Sequence, residues 1–256
     1  MKSIEEFKNK IICGDCLEVL EKIPDESVDC IITDPPFMIS QEGKKIIRNL
    51  KHYQWKRRSD IGLDFGKWDR QWSGIQEYFE WTEKWFKECV RILKNSSWIY
   101  IFFDKQKIGI FDLYLAPKYN IKSRTIFVWV KSNPVPSFRK VNWNSGTEFI
   151  WVGSKGNSKL KNFLAQKYMA NYMITPNASS YKKTIHPTEK PEILLERLIL
   201  VNSNTNDIIL DPFCGSGTTC AVAKKLGRNY IGIELSKEYC EIAEKRLERT
   251  QSPLIP

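Results

Sequence analysis

Two short strings constrain this chain more than anything else in it. Asp34-Pro35-Pro36-Phe37 follows an apolar run at residues 28–33, and Asp211-Pro212-Phe213-Cys214-Gly215-Ser216-Gly217-Thr218-Thr219 follows a second run at 207–210. Each run has the length and content of a strand buried on both faces, so each string begins where a strand ends. That is the edge of an open α/β sheet at which ligands bind. The first string suits a site that holds an exocyclic amino group, and the second a glycine loop that holds a cofactor. Together they point to transfer of a group from a cofactor to a nucleobase amine.

The rest of the pattern supports such a sheet. Strands are expected at 10–13, 28–33, 97–103, 123–130, 147–152, 207–210 and 229–233. Helices are expected at 16–23, 104–115, 191–202 (with Pro191 in its first turn), 217–226 and 237–249. A long amphipathic helix is carried by Tyr78, Trp81, Thr82, Trp85, Phe86, Cys89, Val90 and Leu93 at helical spacing. Alternation of the two element types predicts a mostly parallel, seven-stranded sheet, with the 147–152 strand antiparallel at an edge. Residues 38–74 and 132–185 are too long for ordinary connections and read as functional inserts in a single domain of 1–256.

In the second half of the chain, Gly215 and Gly217 let the backbone turn tightly and approach a ligand. Glu234 ends the next strand, about 20 positions on, where an acid can accept from two ribose hydroxyls. The third glycine of a dinucleotide fingerprint is replaced by Cys220, and no phosphate-binding lysine follows, so a nucleoside without a pyrophosphate fits better. The chain stops one helix later, although this half of the sheet needs a further strand. The 10–13 run, ending at Asp15, is the candidate, which makes the sheet circularly permuted and puts Asp15 beside Glu234.

In the first half, Pro35 and Pro36 remove N–H donors and leave carbonyls open. The Asp34 carboxylate and a carbonyl together accept both hydrogens of an –NH₂ group and push the nitrogen lone pair toward an electrophile. Phe37 offers a flat face for a base. Methylation at cytosine C5 would need a cysteine nucleophile after proline, and the chain has no Pro-Cys pair.

The formal charge of +10 favours a polyanionic partner, since each neutralised phosphate releases counterions. Nine tryptophans and ten tyrosines exceed the needs of a small core, so some are expected on a binding surface. Seven cysteines show no framework spacing, and Cys13-Gly14-Asp15-Cys16 has no second pair to complete a zinc set, so no metal is expected. No signal core or membrane-length apolar run is seen, and a cytoplasmic location is expected.

These residues resemble the β group of S-adenosylmethionine-dependent DNA amino-methyltransferases, whose Asp-Pro-Pro-Tyr/Phe motif precedes the target-recognition region and whose glycine loop follows it. The resemblance is nearest to type II restriction-modification enzymes, including the second methyltransferase of GATC-specific systems. It extends to Gly14-Asp15, Trp68-Asp69, 90–94, Trp129-Val130-Lys131-Ser132-Asn133-Pro134, 148–151, His186-Pro187-Thr188-Glu189-Lys190-Pro191 and 230–234. It implies a Rossmann-like methyltransferase fold with inserted target-recognition loops. It implies Asp34, Pro35, Pro36 and Phe37 at the target amine. It implies Asp15, Thr188, Lys190, Asp211, Phe213, Gly215, Gly217, Thr218 and Glu234 around S-adenosyl-L-methionine, with Thr188 and Lys190 near the methionine carboxylate. Phe37 stands where tyrosine is commoner. Glu189 stands where glutamine is frequent, with little effect expected. Asp rather than Ser before Pro-Pro is commoner among adenine-N6 enzymes.

Lys44, Lys45, Arg48, Lys51, Arg57 and Arg58, with Tyr53 and Trp55 between them, read as a phosphate-gripping loop just after the amine motif. Arg139 and Lys140 belong to a second DNA surface, since arginine and asparagine read guanine and adenine edges. Duplex DNA is the expected partner, with single-stranded DNA as the alternative. A homodimer and a cognate restriction endonuclease are the further partner expectations. The rival functions are cytosine-N4 methylation, RNA amino-methylation and a catalytically inactive nucleic-acid-binding homologue.

Overall fold

The computed structural model describes residues 3–38, 72–134, 143–177 and 189–253. They divide into two compact units, Met1–Pro35 with Lys84–Pro256, and Pro36–Glu83. In the second, the Tyr78 hydroxyl donates to the Pro36 carbonyl at 2.8 Å, and Trp72 packs edge-on against Tyr78.

The first unit is built on one sheet. Its strands are β1 (Lys10–Cys13), β2 (Val28–Thr33), β3 (Leu93–Phe103), β4 (Ile121–Lys131), β5 (Thr147–Lys155), β6 (Tyr172–Thr175), β7 (Ile208–Asp211) and β8 (Asn229–Glu234). The helices are α1 (Cys16–Leu20), α2 (Ile75–Ile92, which runs on from the second unit), α3 (Ala116–Lys118), α4 (Glu192–Asn202), α5 (Thr218–Lys225) and α6 (Lys237–Arg249). The spatial order is β1-β8-β7-β2-β3-β5-β4-β6. The N-terminal β1 lies parallel to β8, in the register Cys13↔Glu234, so the sheet is circularly permuted as expected.

Four details differ from expectation. The sheet has eight strands, because Tyr172–Thr175 pairs parallel to β4 at the edge. That strand is four residues long and half exposed, so its short Tyr-Met-Ile-Thr run does not stand out from the surrounding loop. The antiparallel strand β5 is not at an edge: it lies between β3 and β4, pairing antiparallel with both. Its middle is buried throughout, which an edge strand would not need. Residues 104–115 are not one helix either. They form turns and a π-helical turn at Phe111–Leu115, continuous with α3, and Pro117 removes a donor the ladder would need. Pro191 is the cap before α4 rather than its first residue. β5 and β6 both fall within 132–185, so that stretch supplies sheet as well as loop.

Part of the aromatic content goes into a core layer. Trp85, Phe86, Phe111 and Trp151 are each fully buried. Phe111 stacks on Trp151 at 5.2 Å, and Phe86 meets Trp151 at 5.9 Å. Trp151 keeps its indole N–H satisfied by donating to Asp112 Oδ1 at 2.6 Å and Ser123 Oγ at 3.0 Å. No helix among the described residues is long and apolar enough to cross a membrane.

Gly217 sets the approach of α5 to α6. Its φ of +74° is left-handed, and a Cβ there would lie 2.8 Å from Ala243 Cβ and 3.1 Å from its Cα. Both backbone strain and overlap oppose a side chain. Gly217→Ala should therefore lose about 1–3 kcal/mol of stability in a denaturant melt. Gly74→Ala, with nothing within 4 Å of its Cβ, serves as the control and should leave the midpoint where it is.

Candidate active site

The two strings are brought together by one parallel pairing. β2 and β7 are neighbours, in the register Cys30↔Ile209 and Ile31↔Leu210, so Asp34 and Asp211 emerge side by side at their carboxyl ends. The next strand after β7 is β8 on one side, and the next after β2 is β3 on the other. This is a topological switch point, where an open sheet leaves a crevice for a ligand. Thr33 Oγ1 donates to Asp211 Oδ1 at 2.9 Å across the junction, a contact spanning 178 residues of sequence.

Asp211 shapes the glycine loop. Its Oδ1 also accepts from Phe213 N at 3.1 Å, and it accepts from the Thr219 hydroxyl. Burial pushes its carboxyl up to about 7 despite these donors. Gly215 has φ +52°, and Gly217 N–H donates to Cys214 O at 2.8 Å, which closes the turn into α5. Phe213 meets Trp85 edge-on at 5.5 Å.

Glu234 closes the loop from the next strand. Its Oε2 accepts from Gly215 N at 2.9 Å and its Oε1 from Ser236 N at 2.8 Å. Burial raises its carboxyl above the ordinary glutamate value, against these backbone donors. Asp15 ends the neighbouring strand β1, where its Oδ1 caps α1 by accepting from Leu17 N at 2.8 Å. Gly14 N donates to Glu234 O at 2.9 Å. Asp15 and Glu234 thus share one edge of the sheet, next to the glycine turn. An acid pair beside a glycine loop, with no phosphate-binding lysine in it, has the donor and acceptor character a nucleoside requires.

Asp34 sits at the other side of the crevice. Its side chain is 24% exposed, yet Oδ1 is buried and has no hydrogen-bond partner among the described residues. An unsatisfied buried carboxylate oxygen calls for an explanation. Oδ2 accepts from Lys190 Nζ. Lys190 in turn lies 3.5 Å from Glu148 Oε2 and 5.1 Å from the centre of the Phe102 ring. Glu148 Oε1 is 2.7 Å from Lys131 Nζ. Burial pushes the Asp34 carboxyl up to about 6; Lys190 pulls it down, Glu148 pushes it up, and Lys131 pulls it down again. Glu148 resists its own burial and stays below the ordinary glutamate value, held by Lys190 and Lys131.

Some of these residues were not foreseen. Glu148 and Lys131 lie on β5 and β4, and only the placement of both strands brings them to Asp34. Arg246 on α6 pairs with Glu189 at 2.6 Å and donates to Thr218 Oγ1 at 2.8 Å, tying the segment before Lys190 to the start of α5. Both side chains of that pair are buried, so Glu189 is the counter-charge of a buried guanidinium. Pro36 and Phe37 belong to the second unit. Thr188, Lys44, Lys45, Arg48, Lys51, Arg57, Arg58, Arg139 and Lys140 lie outside the described residues.

Asp211 makes the stability of the chain depend on pH. Its folded pKa of about 7 lies above the ordinary aspartate value. The stability linked to it is therefore fully present below about pH 4 and is lost as pH rises through 7. Asp211→Asn should melt close to the parent at pH 5 and above it at pH 8, by up to about 3 kcal/mol. Thermal melts across that range check this, and an equal offset at both ends would contradict it.

The geometry agrees with what the chain is similar to. The model of N6_N4_Mtase, described as DNA methylase, matches residues 28–245. Type II methyltransferase M.HinfI of Haemophilus influenzae is 36% identical, over 96% of this chain and 70% of its own length. Type II methyltransferase M2.DpnII of Streptococcus pneumoniae is 35% identical, over 94% of this chain and 91% of its own. The crystal structure of an M1.HpyAVI–SAM complex superposes with a TM-score of 0.69 at 28% identity, covering 93% of this chain and 98% of that one. PvuII DNA methyltransferase, a cytosine-N4-specific enzyme, superposes with a TM-score of 0.68 at 20% identity over 96% of this chain and 87% of its own, a likeness of fold alone. With the family model spanning both motifs and the sheet between them, the chain belongs to the N6_N4_Mtase family of DNA methylases.

Proposed function

We propose that the chain transfers a methyl group from S-adenosyl-L-methionine to the N6 amino group of an adenine turned out of DNA, at a defined sequence and within a restriction-modification system. One observation carries this reading. The acceptor Asp34 Oδ1, unsatisfied and buried, stands at the switch point beside the Asp211–Gly217 turn. Adenine rather than cytosine is favoured by aspartate, not serine, before the two prolines. Cytosine-N4 remains the second reading, since a cytosine-N4-specific enzyme shares the fold.

Bound in the pocket of Asp15, Phe213, Gly215, Gly217, Thr218 and Glu234, S-adenosylmethionine would supply an electrophilic sulfonium methyl. The protein's part is positioning. Asp34 Oδ1 and the Pro35 carbonyl accept the two amine hydrogens, which turns the nitrogen lone pair toward the methyl carbon. Phe37 gives the base a face to stack on. The new bond is N–CH₃, the bond broken is S–CH₃, and one amine proton is released. The basic residues at 44–58 and at 139–140 would grip phosphates. A cytoplasmic location and a cognate endonuclease are consistent with this role.

The test follows tritiated methyl from S-adenosylmethionine into mixed-sequence duplex DNA, with mass spectrometry of the nucleosides. N6-methyladenine is the expected product; N4-methylcytosine would overturn the base assignment while keeping the mechanism. Asp34→Ala should lower the transfer rate by about 10²–10³-fold or more while S-adenosylmethionine still binds. Loss of cofactor binding as the main defect would defeat the division into two half-sites.

A further inference from the structure

Resting on the methyl-transfer reading above, we propose that Lys190 is a positioning residue for Asp34 rather than a ligand of the cofactor's carboxylate, and that Glu148 and Lys131 hold it there. The geometry is a line of alternating charge. Lys131 lies 2.7 Å from Glu148 Oε1, Lys190 lies 3.5 Å from Glu148 Oε2, and the same ammonium donates to Asp34 Oδ2. The Lys190 ammonium also rests over the Phe102 ring. Its side chain is only 9% exposed, so two carboxylates and a ring face enclose the charge. An ammonium held in this way orients Asp34.

Three consequences follow from the placement. Lys190 occupies one Asp34 oxygen and fixes the plane of the carboxylate, which aims Oδ1 as the remaining acceptor. It supplies the counter-charge that keeps a buried carboxylate ionised, and only the ionised form accepts at both oxygens. Glu148 shares the ammonium and so moderates that pull. Lys131 holds Glu148 in turn, and the four charges sum to zero. The groups facing Asp34 are Lys190 from the segment before α4, Glu148 from β5, Lys131 from β4 and Asp211 from the end of β7. The first is the cation in direct contact, so its removal dominates.

The experiment reads cofactor affinity and the charge on Asp34 separately. S-adenosylmethionine binding is measured by calorimetry. Asp34 is titrated by carbon-13 NMR of aspartate labelled at the side-chain carboxyl, with its signal assigned from Asp34→Asn. The wild-type midpoint should fall near about 6. Lys190→Gln should raise it by about one unit or more, about a tenfold gain in proton affinity, and leave the S-adenosylmethionine Kd within about threefold. Lys190→Arg should return the midpoint toward wild type. Lys131→Gln, one charge further away, should give a smaller shift in the same direction, and it stands in if Lys190→Gln does not fold. An unmoved Asp34 titration, or about a tenfold loss of S-adenosylmethionine affinity in Lys190→Gln, overturns the proposal. Neither readout requires methyl transfer. Absence of methylated DNA with the wild-type chain would defeat the function proposed above and leave this inference to stand or fall on its own titration.

Discussion

The pairing of β2 with β7 is the constraint from which the rest of the site follows. Each strand is short and apolar, and each ends in an aspartate that burial disfavours as an anion. Placed side by side, they bring the Asp34 carboxylate and the glycine turn after Asp211 to one crevice, where the proposed transfer would need them. The hydrogen bond from Thr33 to Asp211 ties the two halves at that point. Parallel pairing across so long a stretch of chain carries a loop-closure cost in entropy that its contacts must repay.

Around that junction the protein buries charge in matched sets. Asp34, Lys190, Glu148 and Lys131 alternate in sign, and Arg246 with Glu189 forms a second pair nearby. Such pairs are weak evidence for stability, since desolvation offsets most of the attraction. Their value is geometric. A carboxylate that must meet a neutral amine at a fixed angle is better held by an enclosed ammonium than by mobile solvent, and pre-set dipoles cost little reorganisation during reaction. Arg246 adds a mechanical link: one guanidinium joins the start of α5, at the cofactor loop, to the residue preceding Lys190.

The aromatic content divides between core and surface. Nineteen tryptophans and tyrosines, nine and ten, suggested spare side chains for a binding surface. Trp85, Trp129 and Trp151 are instead among the largest buried groups. Trp151 satisfies its N–H on Asp112 and Ser123, which is what makes a wholly buried indole acceptable. Trp143, Tyr114 and Tyr168 stay exposed.

The sequence alone determined the features that depend on neighbours along the chain. The buried runs before Asp34 and Asp211, the glycines at 215 and 217, the acids Asp15 and Glu234, and the permuted order of the halves were all readable, because strand length, turn geometry and chain economy are local properties. Tertiary structure decided what depends on residues far apart. The eighth strand at Tyr172–Thr175 is too short and too exposed to announce itself, and it pairs along the edge that β4 offers. The interior place of β5 depends on both β3 and β4. The partnership of Lys190 with Asp34 and Glu148 joins three separate segments, and no spacing rule connects them. Charge pairing acts through space at a few ångströms, and only the folded sheet sets those distances.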